Sequence, residues 1–496
     1  MLRLGAIDAE STVPKHRQVV AMIRAAIVDG RLRPGDELPS TRELARELGV
    51  GRNTVISAYE LLLGEAVVTS RGGAGTFVSS DVALAQLRLD GSTGASDRMA
   101  TVSEPRPLSG LADIVRVLGR APPDGAAKAF RPSSPAVDAF PYAAWTKISN
   151  AVLKSVEHEW MSEGDPRGHL PLRKAIARHV HAFRSTPCSP ERVVITTGAQ
   201  VALYLCAMVL LEPSDPVWVE EPVYRLARLA FRSRTERVIP VPVDDAGIDI
   251  ELGKKVSPRP RVIYTTPVHQ WPSGVAMTLA RKTALLEFAA EHRSWIVEDD
   301  YDGDLRFDRR TYTSLHALDE ACRVIHVGSF TKTLSPGLRI GYLILPPDLV
   351  DAFVAARQIV DRFPNPIAQA ILAEFIDTGA YARHVYAMRS LYHERHELLA
   401  SRIASKLRGF LDAEPATGGT FTVTKLAPGL DDFALARAFQ AQGYESVPLS
   451  STYWGVPARR GLLLGHAIAK PEEIRRGVDA LERIAEAGAL PDRLSR

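Results

Sequence analysis

Residues 329–339 have the sequence SFTKTLSPGLR and directly follow a β-rich run at 324–328. Further short runs of this kind occur along the chain, with helical patterns between several of them, at 193–196, 217–220, 262–265, 295–298 and 340–345. Short strands that alternate with helices are typical of an α/β fold with a mainly parallel sheet. We expect this α/β domain to occupy residues 126–496.

Polar or glycine-containing segments follow four of the predicted strands, at 197–200, 221–224, 299–302 and 329–339. In an open α/β sheet, ligands bind outside the carboxyl ends of the strands. Segment 197–200 also opens a predicted helix, whose first backbone amides form an anion site suited to phosphate. The sequence therefore predicts a ligand site with a phosphate subsite at this edge of the sheet.

Composition excludes several classes of protein. The 496 residues, 46% of them hydrophobic and 24% charged, favour two or three globular domains and exclude global disorder. The longest apolar run, 201–211, is too short to cross a membrane, and the N-terminal residues lack an apolar secretory segment. The widely spaced Cys188, Cys206 and Cys322 exclude a disulfide framework and a CxxC zinc site. We expect a cytoplasmic protein with no membrane partner and no metal site.

The N-terminal part, residues 12–80, has a different pattern. The stretch 38–62, LPSTRELARELGVGRNTVISAYELL, contains a capping box at 40–43 that opens a helix over 41–47. A glycine-containing turn separates it from a third helix over 53–63, and two short helices joined in this way are typical of a helix-turn-helix. Strands at 67–70 and 76–78 around a glycine-rich tip predict a β-wing. The stretch 81–125 lacks core-forming density and is predicted to be a flexible linker.

The stretch 38–62, with RGGAGTFV at 71–78, resembles the winged helix-turn-helix of GntR-type transcription regulators. Gly51 replaces the serine usual at the start of the recognition helix, and Glu65-Ala66-Val67 replaces a Glu-Gly-aromatic sequence before the wing. The resemblance implies double-stranded DNA as a partner. Arginine side chains near the turn can reach phosphates or guanine edges in the major groove. The candidate DNA-binding residues are Arg42, Arg46, Arg52, Asn53, Thr54 and Arg71.

The larger domain carries an ordered series of motifs, TTGAQ, EEPVY, TPVHQWPSG, EDDYD and SFTKTLSPGLRIGY. This series resembles the fold-type I aminotransferases that bind pyridoxal phosphate (PLP). Together with the GntR-type domain, it identifies the chain as a member of the MocR subfamily. The resemblance implies a multidomain protein with an N-terminal α+β winged helix-turn-helix and an α/β PLP-dependent transferase-like domain. It also implies a homodimer.

The resemblance assigns a role around PLP to individual residues. Lys332 would form the Schiff base, because an amine condenses with the PLP aldehyde. Asp299, 33 residues earlier, would pair with the pyridinium nitrogen. Tyr301 would hydrogen-bond the phenolic oxygen, and Tyr224 would stack on the ring. The phosphate would be held by Gly198, Ala199, Gln200, Ser329, Thr331 and Arg339.

Three positions depart from active aminotransferases. Glu163 replaces a tyrosine that reaches the partner subunit's phosphate, so we expect it to point elsewhere. Trp271 replaces the asparagine of an Asn-Pro-Thr-Gly motif. Leu463 stands where an arginine binds the substrate carboxylate, and Arg459 and Arg460 are the nearby alternatives. Loss of a bidentate arginine removes substrate orientation and favours a sensor over an efficient transaminase.

Three functions stay open at this point. The leading hypothesis is a transcription regulator, not an enzyme, whose PLP domain senses a small amine or amino acid, or PLP itself. An active aminotransferase with a fused DNA-binding domain is the main alternative, against which the missing arginine argues. In the third, the large domain is a dimerisation scaffold without cofactor. No residue is assigned a catalytic role.

Overall fold

A computed structural model describes residues 4–71, 75–80, 109–110, 112, 128–155, 163–307 and 312–488. The chain divides into two compact units, Met1–Leu108 and Ser109–Arg496. Apart from residues 109–110 and 112, the predicted linker 81–125 lies outside the described residues, as do residues 72–74 of the predicted wing tip. No helix in the described ranges is long and apolar enough to cross a membrane.

Three helices and a two-stranded wing make up the first unit: α1 Lys15–Val28, α2 Thr41–Leu48, α3 Arg52–Gly64, β1 Val68–Arg71 and β2 Gly75–Val78. Helix α2 begins at the predicted capping box, in which Ser40 and Glu43 each bond the other's backbone amide. It ends at Gly49, whose φ of +65° suits glycine. The buried faces of the three helices meet around Ile23, Leu44 and Val55, which gives the unit its own core.

The second unit is built on an eight-stranded sheet with the order β3-β10-β9-β8-β7-β4-β5-β6. Strands β4, β5, β7, β8 and β9 pair in parallel, whereas β10 runs antiparallel to both β3 and β9, and β6 runs antiparallel to β5. The strand bounds are β3 Val193–Thr196, β4 Val217–Glu221, β5 Val238–Asp244, β6 Gly247–Ile248, β7 Val262–Thr265, β8 Trp295–Asp300, β9 Val324–Ser329 and β10 Gly341–Ile344.

A second, four-stranded antiparallel sheet with the order β11-β12-β14-β13 lies in the C-terminal part of this unit. Its strands are β11 Leu411–Ala413, β12 Thr422–Leu426, β13 Val447–Pro448 and β14 Leu462–Leu464. The helices of the unit are α4 Tyr142–Lys154, α5 Leu170–Arg184, α6 Ala199–Leu210, α7 Arg225–Arg232, α8 Ile250–Val256, α9 Leu279–His292, α10 Leu315–Leu318, α11 Val350–Asp361, α12 Pro366–Asp377, α13 Ala380–Lys406, α14 Asp432–Ala441 and α15 Pro471–Glu486.

Strand β8 differs from its prediction in a way that matters for the site. It continues to Asp300 and therefore contains the two aspartates that the sequence placed after it. Acidic residues can lie in this buried strand because each carboxylate has a hydrogen-bond or ion-pair partner. Glu298 accepts hydrogen bonds from the backbone amides of Leu315 and His316, and Asp300 forms an ion pair of 2.5 Å with Arg184.

Candidate functional site

Asp299 lies near the carboxyl end of β8 with only 5% of its surface exposed. Its Oδ2 accepts a hydrogen bond of 2.9 Å from the Tyr264 hydroxyl, while Oδ1 has no hydrogen-bond partner among the described residues. Burial raises the pKa of Asp299 to about 7, although the bond from Tyr264 opposes the shift. A buried carboxylate oxygen without a partner is costly, so Oδ1 is suited to a cationic N–H donor from a ligand.

Lys332 follows β9 and is half-buried. Burial lowers the pKa of its amine to about 8, while the charges of Asp302 and Asp299 act in the opposite direction. Its Nζ donates a 2.7 Å hydrogen bond to the backbone oxygen of Ser133. Ser133 could not be predicted from the sequence, because a backbone acceptor 199 residues away leaves no signal in a motif. A lysine with a lowered pKa is a ready nucleophile toward an aldehyde.

The predicted phosphate cradle surrounds the start of α6. Gly198 caps that helix with a φ of +90°. A Cβ there would lie 3.5 Å from the Arg339 guanidinium, whose Nη2 donates to the Thr197 carbonyl at 3.0 Å. A Cβ on Gly341 would lie 3.0 Å from the amide nitrogen of Ala199. The glycines thus permit close packing of backbone at a helix N-terminus beside a cation, which is the arrangement that binds phosphate.

The other predicted phosphate residues contribute in different ways. The Gln200 side-chain amide donates to the carbonyl of Leu226 at 2.9 Å, so its NH2 group already has a protein partner, and its backbone amide belongs to the first turn of α6. Ser329 ends β9, and its Oγ accepts the backbone N–H of Thr331 at 3.1 Å. Its hydroxyl hydrogen is therefore available to an anion.

Two aromatic rings meet beside the start of α7. Tyr224 precedes α7, and its ring meets that of Trp271 edge-on with centroids 5.5 Å apart. Burial, followed by the charge of Asp299, raises the pKa of Tyr224 to about 12. Trp271 also packs on Phe421 and Leu463, so an aromatic surface replaces the asparagine of the aminotransferase motif.

Tyr301 lies beside two side chains that belong to the sequence motifs but had no predicted role, His269 and Asp302. Its hydroxyl is 3.1 Å from Nδ1 of His269, and the same Nδ1 is 2.9 Å from Oδ2 of Asp302. The two rings stack with centroids 6.0 Å apart. His269 comes from HQWPSG and Asp302 from EDDYD. Their spacing in the sequence, 33 residues, gave no indication of this contact.

The position of the missing carboxylate-binding arginine lies in an apolar environment. Leu463 is buried in an apolar cluster with Phe421 and Val423. Arg459 forms an ion pair with Glu414, and Arg460 donates to the Leu430 carbonyl at 3.3 Å, so both predicted substitutes for a carboxylate-binding arginine have other partners.

Glu163 pairs with Arg362 at 2.6 Å on an exposed surface. Its carboxylate is thereby directed to a cation of the same chain.

The candidate DNA-binding residues lie on α2, on α3 and at the wing. The side chain of Arg52, the first residue of α3, is 3.4 Å from the Thr41 hydroxyl at the start of α2. Arg71 packs over the ring of Phe77, with 4.8 Å between its guanidinium carbon and the ring centroid. Each of the four arginines and Asn53 is exposed, and Thr54 is half-buried in the first turn of α3. An exposed row of cations beside a helix N-terminus is suited to a phosphate backbone.

These residues fit PLP on structural grounds. The buried oxygen of Asp299 matches a pyridinium N–H, Lys332 matches an aldehyde, and the start of α6 with Arg339 matches a phosphate dianion. The described residues contain no cluster of His, Cys, Asp and Glu that could hold a metal ion.

Comparisons with known proteins agree with both halves of this description. Residues 15–78 match the family of bacterial regulatory proteins of the gntR type, and residues 136–481 match the aminotransferases of class I and II. The chain is 35% identical to the "Probable rhizopine catabolism regulatory protein MocR" of Rhizobium meliloti, over 98% of this chain and 97% of that protein. It is 32% identical to the HTH-type transcriptional regulator TauR of Rhodobacter capsulatus, over 93% and 94%.

The second unit also has solved structural relatives. Alpha-aminoadipate aminotransferase LysN of Thermus thermophilus, complexed with N-(5'-phosphopyridoxyl)-L-leucine, matches with a TM-score of 0.67 and 28% identity, over 73% of this chain and 92% of that one. Such relatives establish the aminotransferase fold, and the aminotransferase family is one that binds PLP. The chain therefore belongs to the MocR-type transcription regulators, in which a GntR-family DNA-binding domain is joined to a class I and II aminotransferase domain.

Proposed function

We propose that this transcription regulator holds PLP on Lys332 and uses the loaded domain to sense a small amine or amino acid that changes DNA binding. The observation that carries the proposal is the buried Oδ1 of Asp299, which lacks a hydrogen-bond partner within the described ranges. PLP supplies an aldehyde that condenses with amines. We therefore propose that the effector is an amine, the chemical class that reacts with this aldehyde.

The residues of this chain would divide the binding work. Asp299 would hold the proton of the ring nitrogen, and Tyr224 would cover the ring. The amides at the start of α6, with Arg339, would bind the phosphate. Tyr301 would orient the phenolic side, where its hydroxyl lies 3.1 Å from His269.

The surroundings of Leu463 favour sensing over transamination. An aminotransferase needs its substrate oriented, and a bidentate arginine does this with two parallel hydrogen bonds. Leu463 is buried among apolar side chains and has no group that could bind a carboxylate, while Arg459 is paired with Glu414. We therefore propose that the protein binds its effector without efficient turnover. An effector that is not an α-amino acid, or PLP acting by itself, also agrees with an apolar position here.

Regulation requires two states with different affinity for the effector. We propose that the aminotransferase-like unit forms a homodimer, as its fold relatives suggest, and presents two DNA-binding units to paired half-sites. Sedimentation of the PLP-saturated protein at micromolar concentration should then give a dimer, and a monomer under those conditions would contradict this part of the proposal.

The proposal is tested on the full chain loaded with PLP. Borohydride reduction followed by peptide mapping should find the cofactor on Lys332. Operator DNA binding is then measured with and without a panel of amines, for wild type, Lys332→Ala and the exposed control Lys174→Ala. Only Lys332→Ala should lose the response to amine while keeping DNA binding. Rapid turnover of amino-acid and keto-acid pairs would instead support an active aminotransferase, and a cofactor-free protein would support a scaffold.

A further inference from the structure

His269 is held between Asp302 and Tyr301 in a buried part of the site. Its Nδ1 lies 2.9 Å from Oδ2 of Asp302 and 3.1 Å from the Tyr301 hydroxyl. His269 is 5% exposed and Asp302 is 3% exposed. A hydrogen bond between a buried imidazole and a buried carboxylate fixes which ring nitrogen carries the proton.

Two glycines fit closely around the imidazole ring. A Cβ on Gly419, where φ is +86°, would lie 2.6 Å from Cε1 of His269. A Cβ on Gly274, where φ is +76°, would lie 3.3 Å from Nε2. The Phe421 ring packs with its centroid 6.3 Å from that of the imidazole. This packing restrains the ring, so the orientation of Nδ1 toward Asp302 is built into the fold.

The hydrogen positions follow from the partners. Asp302 presents a carboxylate oxygen to Nδ1, so Nδ1 donates and carries a hydrogen. A nitrogen that carries a hydrogen cannot accept one from Tyr301, and the tyrosine oxygen therefore faces a donor. Burial, and then the nearby charge of Asp302, raise the pKa of Tyr301 well above its usual value. Tyr301 thus stays protonated, with Asp302 as the competing acceptor for its hydrogen.

We propose that His269, oriented by Asp302, is a positioning residue that keeps the Tyr301 hydroxyl hydrogen directed at the phenolic oxygen of PLP. The hydrogen bond from His269 to Oδ2 of Asp302 weakens that carboxylate as a competing acceptor for the hydrogen of Tyr301. The inference deepens the proposed function and depends on PLP being bound to Lys332. It assigns a role to a histidine that lies outside the set of residues expected to touch the cofactor.

Other charged and titratable groups face this cluster from several elements, and they affect any pH dependence measured there. The groups around Tyr301 are Asp299, Asp302, Glu220 and Lys332. The groups beside His269 are His466 and Arg306. Nη1 of Arg306 donates a hydrogen bond of 3.1 Å to the carbonyl of Val268, the residue before His269. Variants of His269 leave all of these groups in place, so they isolate the contribution of the imidazole.

The readout is the pH at which the absorbance band of PLP bound to Lys332 changes. The phenolic oxygen of PLP accepts a hydrogen bond from the protonated nitrogen that joins the cofactor to Lys332. A second hydrogen bond, donated to the same oxygen by Tyr301, weakens that interaction and so lowers the pKa of the nitrogen. Tyr301→Phe removes the donor and should raise the pKa by about one unit. Loss of the positioning histidine should raise it in the same direction.

Two substitutions of His269 distinguish its positioning role from the effect of simply filling the space of the imidazole. His269→Asn places an amide N–H near the position of Nδ1 and can still donate to Asp302, whereas His269→Gln extends its amide toward the position of Nε2. The glutamine variant should raise the pKa of the band as Tyr301→Phe does, while the asparagine variant should stay near wild type. In the Tyr301→Phe background, neither substitution should add a further shift.

Equal shifts in the asparagine and glutamine variants, or a shift that persists in the Tyr301→Phe background, would overturn the proposal. If the variants do not fold by circular dichroism, 15N-histidine spectra of the wild-type holoprotein decide the question, since they must show His269 with a hydrogen on Nδ1. A hydrogen on Nε2 alone would also overturn it. The absence of any PLP band in the wild type would instead be a failure of the proposed function.

Discussion

The hydroxyl of Tyr264 donates a hydrogen bond of 2.9 Å to one oxygen of Asp299, and the other oxygen has no such partner in the described part of the chain. The tyrosine reaches Asp299 from the neighbouring parallel strand, because β7 pairs with β8. One carboxylate oxygen is thus used by the protein to fix the side chain, and the second is left for a ligand. This division allows the two oxygens to be tested separately.

Replacement of Asp299 by Asn should weaken PLP binding about 10- to 100-fold, since a charge-assisted hydrogen bond is worth roughly 1.5–3 kcal/mol. Absorbance titration of apoprotein with PLP measures the affinity. Tyr264→Phe is the matched control because it removes the fixing bond and keeps Oδ1 of Asp299. It should weaken binding less. Equal losses in the two variants would show that Oδ1 has no special role.

The raised pKa of Asp299 also predicts how the apoprotein responds to pH. Burial raises this pKa from 3.8 to about 7 in the folded protein. The folded state therefore keeps a proton that the unfolded state releases, so the contribution of Asp299 to stability is present below about pH 4 and is lost as the pH rises through 7.

Asparagine does not titrate, so the melting temperature of wild type should fall relative to that of Asp299→Asn between pH 4 and 7. The difference should stay constant above pH 8. Each kcal/mol of unfolding free energy corresponds to a change of about 2–4 °C in the melting temperature of a domain of this size. Thermal unfolding of the two apoproteins across this range measures the effect, and a constant difference throughout would contradict a raised pKa for Asp299.

The lowered pKa of Lys332 predicts the kinetics of cofactor attachment. The neutral amine is the nucleophile, and burial lowers its pKa to about 8. The second-order rate of attachment should rise about tenfold per pH unit below 8 and level off above it. Stopped-flow absorbance after mixing apoprotein with PLP gives this profile. A rate that keeps rising to pH 10 would indicate an ordinary, solvated lysine.

Much of the fold could be predicted from the sequence because its signals are local. The bounds of β3 and β7 agree with the β-rich runs, and the start of α2 agrees with its capping box. The end of β8 could not be predicted, because Asp299 and Asp300 are typical of a loop when considered alone. Their partners Tyr264 and Arg184 come from other elements, and only tertiary contact makes a buried strand acceptable for them.

The candidate site shows the same limit. The motif around Lys332 supplied the lysine and Arg339, and the comparison with aminotransferases supplied Leu463. The acceptor on Ser133 and the contact between His269 and Asp302 join distant segments. Side-chain roles of this kind depend on orientation, which a sequence motif does not contain.

The DNA-binding unit presents two arginines on either side of the turn between α2 and α3. Arg52 begins α3 and lies 3.4 Å from the hydroxyl of Thr41, next to Arg42 on α2. Both arginines are exposed, so their guanidinium groups are available to one groove. Arg42→Ala or Arg52→Ala should each cost about 1–3 kcal/mol in operator binding if the arginine holds a guanine edge, and should relax specificity at one base pair.

A contact to phosphate alone would give a different result, because binding to every DNA sequence would weaken alike and the salt dependence would decrease. Arg31→Ala is the matched control, since Arg31 is an arginine of the same unit that pairs with Asp29 at 3.1 Å. Fluorescence anisotropy with operator and scrambled DNA at several salt concentrations distinguishes the two modes. Neither groove variant should alter the PLP absorbance, because the residues lie in the first of two compact units. If both variants bind operator as tightly as Arg31→Ala, α2 and α3 do not contact DNA through these arginines.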